Sequence, residues 1–251
     1  MTNTRVLSTG KKCKLTDSCM STEDKKRLNL DLGIIAAVTA LAVGIYMLFR
    51  GRIEAFINSS SNDVLIKTGL FAAMSFMIAG LGTTIVSAMR RERLSVHGIK
   101  SEGSLTSILL SAIGFIPLFS YRMVTDGFNS YSLFGNLTVG RELMASSIGV
   151  GATGMILLAV TLGLVGGYNL VFISNKINER FPTEGILLDR GALISTVLFI
   201  TVFGTVFGLG SYGIVGAVIA GLAVYGTLVV RNFTGNAWGT IVAMALLMYS
   251  I

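Results

Sequence analysis

The chain has 251 residues, 52% of them hydrophobic and only 13% charged, with a formal net charge of +7. A soluble domain carries about twice that charged fraction, and with a mean hydropathy of +0.74 the composition excludes an ordinary water-soluble enzyme. The positive charge is not a nucleic-acid footprint either, because seven of the twenty Lys/Arg lie in the first 27 residues and most of the others flank apolar runs.

Residues 1–31 are polar and basic, with too few apolar side chains to build a core, and read as a mobile cytoplasmic tail. The tail holds both cysteines, Cys13 and Cys19, with no neighbouring His to complete a metal set. Within it, MSTEDKKRLNL from Met20 has the look of a bacterial protein start. The domain that follows, 32–251, holds seven apolar stretches, and runs of this kind are what about 30 Å of hydrocarbon requires. They are 32–49, 68–89, 105–121, 148–173, 191–209, 211–230 and 236–251. Lys67, at the edge of the second, reads as a side chain snorkelling to the headgroups. His97 lies in the charged 90–103 segment and reads as a solvated loop residue. Pro117 predicts a kink near the end of the third span. The 122–147 connection mixes Phe128, Tyr131, Leu133, Phe134 and Leu137 with polar residues, as an interfacial segment or lid would.

The fold class expected is therefore an all-α polytopic membrane bundle of about seven transmembrane helices. With the amino terminus inside, fifteen Lys/Arg fall on the cytoplasmic side and five on the other, a positive-inside bias. Small-residue pairs at four-residue spacing, Gly163/Gly167, Ala217/Gly221 and Gly204/Gly208, mark places where helices can approach closely. The localisation expected is a bacterial plasma membrane, with the lipid bilayer as the first partner.

The sequence argues against catalysis. No span interior holds an Asp, Glu, His, Lys or Arg, and all thirteen acids fall in loops or at helix ends. A zinc peptidase needs three protein ligands, an acid–base pair needs two placed carboxylates, and a serine nucleophile needs an adjacent base. None of these sets can be assembled, so no catalytic residue, metal or cofactor is expected. Asn169, about one turn from the cytoplasmic end of the fourth span, is the most expensive polar side chain to bury.

Three stretches stand out: RRERLSVHGIK at 90–100, GLVGGYNLVFISNKINERFP at 163–182 and TGNAWG at 234–239. Together they resemble the CAAX-protease and bacteriocin-processing family of membrane proteins, also called Abi-like. That resemblance implies peptidase signatures of Glu-Glu with a following Arg, Phe-xxx-His and His-xxx-Asn. Here Gly166 and Gly167 stand for the acid pair and Val171 for the Arg. Phe203-xxx-Phe207 and Asn232-xxx-Asn236 lack the histidines. The resemblance thus implies a member without the peptidase site, binding a peptide or partner membrane protein in the old groove through Tyr168, Asn169 and Asn236. The alternative is a membrane subunit of a transporter or channel, and an active intramembrane peptidase comes last.

Overall fold

A computed structural model describes residues 20–127, 132–182, 185, 188–203, 206 and 213–249. Every regular element among them is helical. In chain order these are α1 (Thr22–Asn58), α2 (Val64–Ala79), α3 (Leu81–Arg90), a 3-10 turn (Leu94–His97), α4 (Ser104–Gly114) and α5 (Ile116–Arg122). After a π turn at Met123–Gly127 come α6 (Thr138–Met144), α7 (Ile148–Leu158), a π-helical stretch (Ala159–Gly167) and α8 (Tyr168–Arg180). Then follow α9 (Arg190–Leu198) with a π turn at Phe199–Phe203, α10 (Gly213–Thr234) and α11 (Trp238–Leu246).

The starts follow local chemistry. Ser21, Asp63 and Asp189 each turn a side-chain oxygen onto the first free amides of α1, α2 and α9. The breaks do too. Between α2 and α3 the axis bends by 57° at Gly80, where an added Cβ would collide with Val165 of the π-helical stretch. Near Pro117 the helix is interrupted two residues earlier, at Phe115. Pro117 then occupies the first turn of α5, where its missing N–H costs no hydrogen bond.

Four helical segments are long and apolar enough to cross a membrane: Thr22–Asn58, Ser104–Thr125, Ile148–Arg180 and Gly213–Thr234. The bent α2/α3 pair makes a fifth if counted as one span. The remaining two stretches read as spans are shorter in the structure, Arg190–Val202 and the nine-residue α11. At 1.5 Å per residue α11 rises only about 14 Å.

Three sequence expectations change. Residues 22–31, read as tail, form the first turns of α1, with Leu28 and Asp31 buried; residues 1–19, with both cysteines, lie outside the described set. The fourth span does not stop at 173, because α8 continues to Arg180 with Ser174, Asn175 and Lys176 buried. Asn169 is accordingly three turns from the helix end. In the 122–147 connection, Phe134, Leu137, Val139 and Leu143 join the main core with Phe115, Leu158, Leu162 and Val171, so its second half is packed rather than interfacial. Phe128 and Tyr131 fall outside the described residues.

The small-residue spacings do what they imply where they are described. A Cβ on Gly163 would strike Ala245 and one on Gly167 would sit 2.8 Å from the Ile241 backbone, so α11 lies directly on the π-helical stretch. Gly221 likewise admits Ile200 against α10. Gly204 and Gly208 are outside the described residues.

Candidate functional site

The starts of α1, α4, α9 and α11 and the ends of α3, α8 and α10 gather at one end of the bundle, and there Asp31, Arg90, Glu92, His97 and Lys176 form a connected network. Asp31 is 1% exposed and accepts from Arg90 of α3, with Oδ1 2.8 Å from Nε and 2.7 Å from Nη2. Lys176 of α8 lies 3.6 Å from the other Asp31 oxygen and is in very short contact with Glu92 Oε1. Glu92 Oε2 is 2.8 Å from His97 Nε2, and the Asn175 amide nitrogen is 3.1 Å from His97 Nδ1. Two carboxylates thus face two permanent cations, so the charges balance without the histidine.

This bonding fixes the histidine. An amide nitrogen can only donate, so Nδ1 accepts and Nε2 carries the proton given to Glu92. The neutral ring fits its surroundings: it is 1% exposed, 4.6 Å from the Phe172 ring and edge-on to Tyr168 at 5.8 Å. Burial pushes its pKa below the ordinary value despite the opposing pull of Glu92. Desolvation would raise the Glu92 carboxyl, but hydrogen bonds and charge from Lys176 and His97 outweigh it and hold that pKa low. His97 is therefore not the solvated loop residue its sequence context suggests. Both ring nitrogens are engaged, which leaves neither for a substrate.

The same loop is held from its other side by the TGNAWG turn. Gly98, with φ +92, packs against that turn where a side chain would not fit, and its carbonyl accepts from Ala237 N at 2.8 Å. Asn236, fully buried, gives both amide hydrogens to the Lys100 and Glu102 carbonyls at 2.8 and 2.7 Å and accepts from Trp238 N at 2.9 Å. Its own carbonyl takes the Ser107 hydroxyl at 2.9 Å. All three distinctive sequence stretches therefore meet in one place: 90–100 is clamped between α8 and the 234–239 turn.

The three residues singled out from sequence separate here. Asn236 is a fully used anchor. Tyr168 packs on His97 and Phe172, and its buried hydroxyl lies near Ser87 with no hydrogen bond of good geometry among the described residues. Asn169 is 8% exposed, and among the described residues no hydrogen bond reaches its side chain. Next to them Gly166 is buried, yet a Cβ there would meet nothing nearer than its own helix's Thr161 carbonyl at 3.8 Å. Val171 is sealed in the core. Phe207 and the Phe203 side chain lie outside what is described.

At the opposite end Lys67 does not snorkel. It is 1% exposed and gives two hydrogen bonds to Glu142 of α6, at 3.0 and 2.8 Å. Among the described residues no three His, Cys, Asp or Glu side chains converge as a metal ion requires. No family model, curated protein or solved structure matches the chain.

Proposed function

We propose that the chain is a non-catalytic multi-pass membrane protein of the Abi-like type. On this reading it has seven crossings, an amino terminus in the cytoplasm of a bacterial plasma membrane, and a role in holding a peptide or a partner's membrane helix. One observation carries the binding part: Tyr168 and Asn169 are consecutive, buried and without hydrogen bonds to the described residues, beside a glycine whose missing Cβ leaves room. Buried polar groups are paired in the great majority of cases, so on this reading the open Tyr168 hydroxyl and the unbonded Asn169 amide are where a partner supplies a bond. That place is also where the resemblance puts the acid pair of active relatives. Asn236 drops out of the contact set, because a partner would have to break three internal bonds to reach it.

The orientation draws support from where the basic segments lie. The α1 start, the 90–103 loop, the α8 end and Arg231 lie at one end, and these are the segments carrying the larger Lys/Arg share. The two short segments cross if neighbouring helices cover their ends.

The test is photocrosslinking in native membranes from a probe at position 168, with and without Asn169→Leu. Capture of one peptide or membrane protein, reduced by the substitution, supports the reading. Capture of lipid or of the chain's own helices alone overturns it and favours a transporter or channel subunit.

A further inference from the structure

The loop between α3 and α4 has two faces. Glu92, His97 and Gly98 point inward and are fixed by Lys176, Asn175 and the 234–239 turn. Arg91, Arg93, Leu94, Ser95 and Val96 point outward and are exposed. Leu94 and Val96 are each 53% exposed, and Met89 at the end of α3 is 59% exposed. Neither outward arginine has an acidic partner among the described residues, whereas neighbouring Arg90 is taken by Asp31. Arg91 also holds a left-handed backbone, φ 51, at the helix cap where glycine is the usual occupant. On a loop locked from behind, the Arg91 backbone is held at a set position and its exposed side chain reaches outward from there.

We infer that this ridge docks anionic phospholipid headgroups. The inference rests on the membrane reading proposed above. The loop joins the ends of two apolar segments, which puts it at headgroup depth if they span. Cations beside exposed aliphatic side chains match that layer, with phosphates for the guanidinium groups and upper acyl chain for Met89, Leu94 and Val96. A protein partner is less well served, since stable protein interfaces use about 20–30 residues a side and this ridge offers six. The locked inner face means that little backbone ordering opposes lipid contact, leaving only the arginine side chains to be immobilised.

The experiment uses the full chain in phosphatidylcholine bilayers with trace spin-labelled phosphatidylglycerol or phosphatidylcholine, reading the motionally restricted fraction of each. Wild type is expected to prefer phosphatidylglycerol, and raised salt is expected to weaken that preference. Arg93→Gln and Arg91→Gly should each lower it, by up to about fivefold per arginine, the factor for one surface cation near an anionic membrane. Arg91→Gly keeps the left-handed cap and removes only the side chain, so its folding is not at stake. Equal association of the two lipids with wild type, or an unchanged preference in both variants, overturns the inference. Displacement by inorganic phosphate beyond that of chloride at equal ionic strength overturns it too, since the site would then take free anions. A chain released from the bilayer by alkaline carbonate fails the membrane reading itself, whereas a retained chain without preference fails this inference alone.

Discussion

Replacing Lys176 by Met tests whether the buried network holds the bundle together. Methionine keeps the length of the side chain, so little packing is lost, but the cation between Asp31 and Glu92 is gone. Lys176 is 4% exposed and Asp31 1%, so those two groups have little water to fall back on, while Glu92 at 17% is partly wetted. Removing one partner of a buried pair costs about 3–5 kcal/mol; the wetting of Glu92 and the remaining Arg90–Asp31 pair put this case near about 3 kcal/mol. For a chain of this size each kcal/mol lowers the melting temperature by about 2–4 °C, giving a drop of roughly 6–12 °C. Trp238, the chain's one tryptophan, sits in the turn that clamps the 90–100 loop, so its fluorescence follows the same region during a thermal ramp. Glu92→Gln should cost less, about 1–2 kcal/mol, because the amide can still accept from His97. A Lys176→Met protein melting within about 2 °C of wild type, or single and double variants that simply add, would refute a coupled network.

Acid should lower the melting temperature in two steps. His97, the chain's one histidine, has a folded pKa below its ordinary 6.5, so its contribution is complete above 6.5 and is lost as pH falls through the depressed value. Glu92 is depressed from 4.5, so its share goes only under more acid conditions; in a melting-temperature series against pH, His97→Asn should delete the first step and keep the second. Asn236→Ala removes three hydrogen bonds of a fully buried amide, and with Lys100 and Glu102 exposed enough for water to reach their carbonyls it should cost about 1–2 kcal/mol in the same melt, whereas Asn169→Ala removes an unbonded amide and should be neutral or stabilising. Gly163→Val would push a branched side chain into Ala245, and a loss of about 1–3 kcal/mol is expected from overpacking. At the other end Glu142→Gln should destabilise more than Lys67→Met, because it leaves a 1%-exposed ammonium without its counter-charge while the reverse leaves a carboxylate 29% exposed; equal melting of the two would contradict the burial asymmetry.

Composition and apolar runs made the all-helical character legible, and the glycine spacings at 163/167 and at 221 foretold two of the close crossings. What escaped was the fate of the polar groups. Asp31, Lys67 and His97 were each judged by position relative to an apolar run, and each finds a partner on another element that no local window contains. Lys67 waits for Glu142, 75 residues on, and Lys176 meets Glu92 across 84. The same blindness ended the fourth span too early: Ser174, Asn175 and Lys176 look like a polar stop, yet α8 runs on because Asn175 and Lys176 are bonded at depth. One local signal was present. Tyr168, Phe172, Asn175 and Lys176 recur at helical spacing and so share a face, the one that meets His97 and Glu92. At the candidate site, Asn169 drew attention through its cost of burial and lies unbonded among the described residues, while Asn236 is an anchor.

The wide sequence separations of these pairs set an order on the protein's birth. Asp31 leaves the ribosome 59 residues before Arg90 and well over a hundred before Lys176, and the carbonyls that Asn236 secures wait 134 to 136 residues for it. Until the helix ending at Arg180 has been made, a nascent chain carries carboxylates whose counter-charges have not all been synthesised. A chain released before that point has Asp31 and Glu92 without Lys176, so the end of the bundle where they meet is not yet tied together. The final short helix then acts as a seal: only when Asn236 arrives is the loop at 90–103 fixed from both sides.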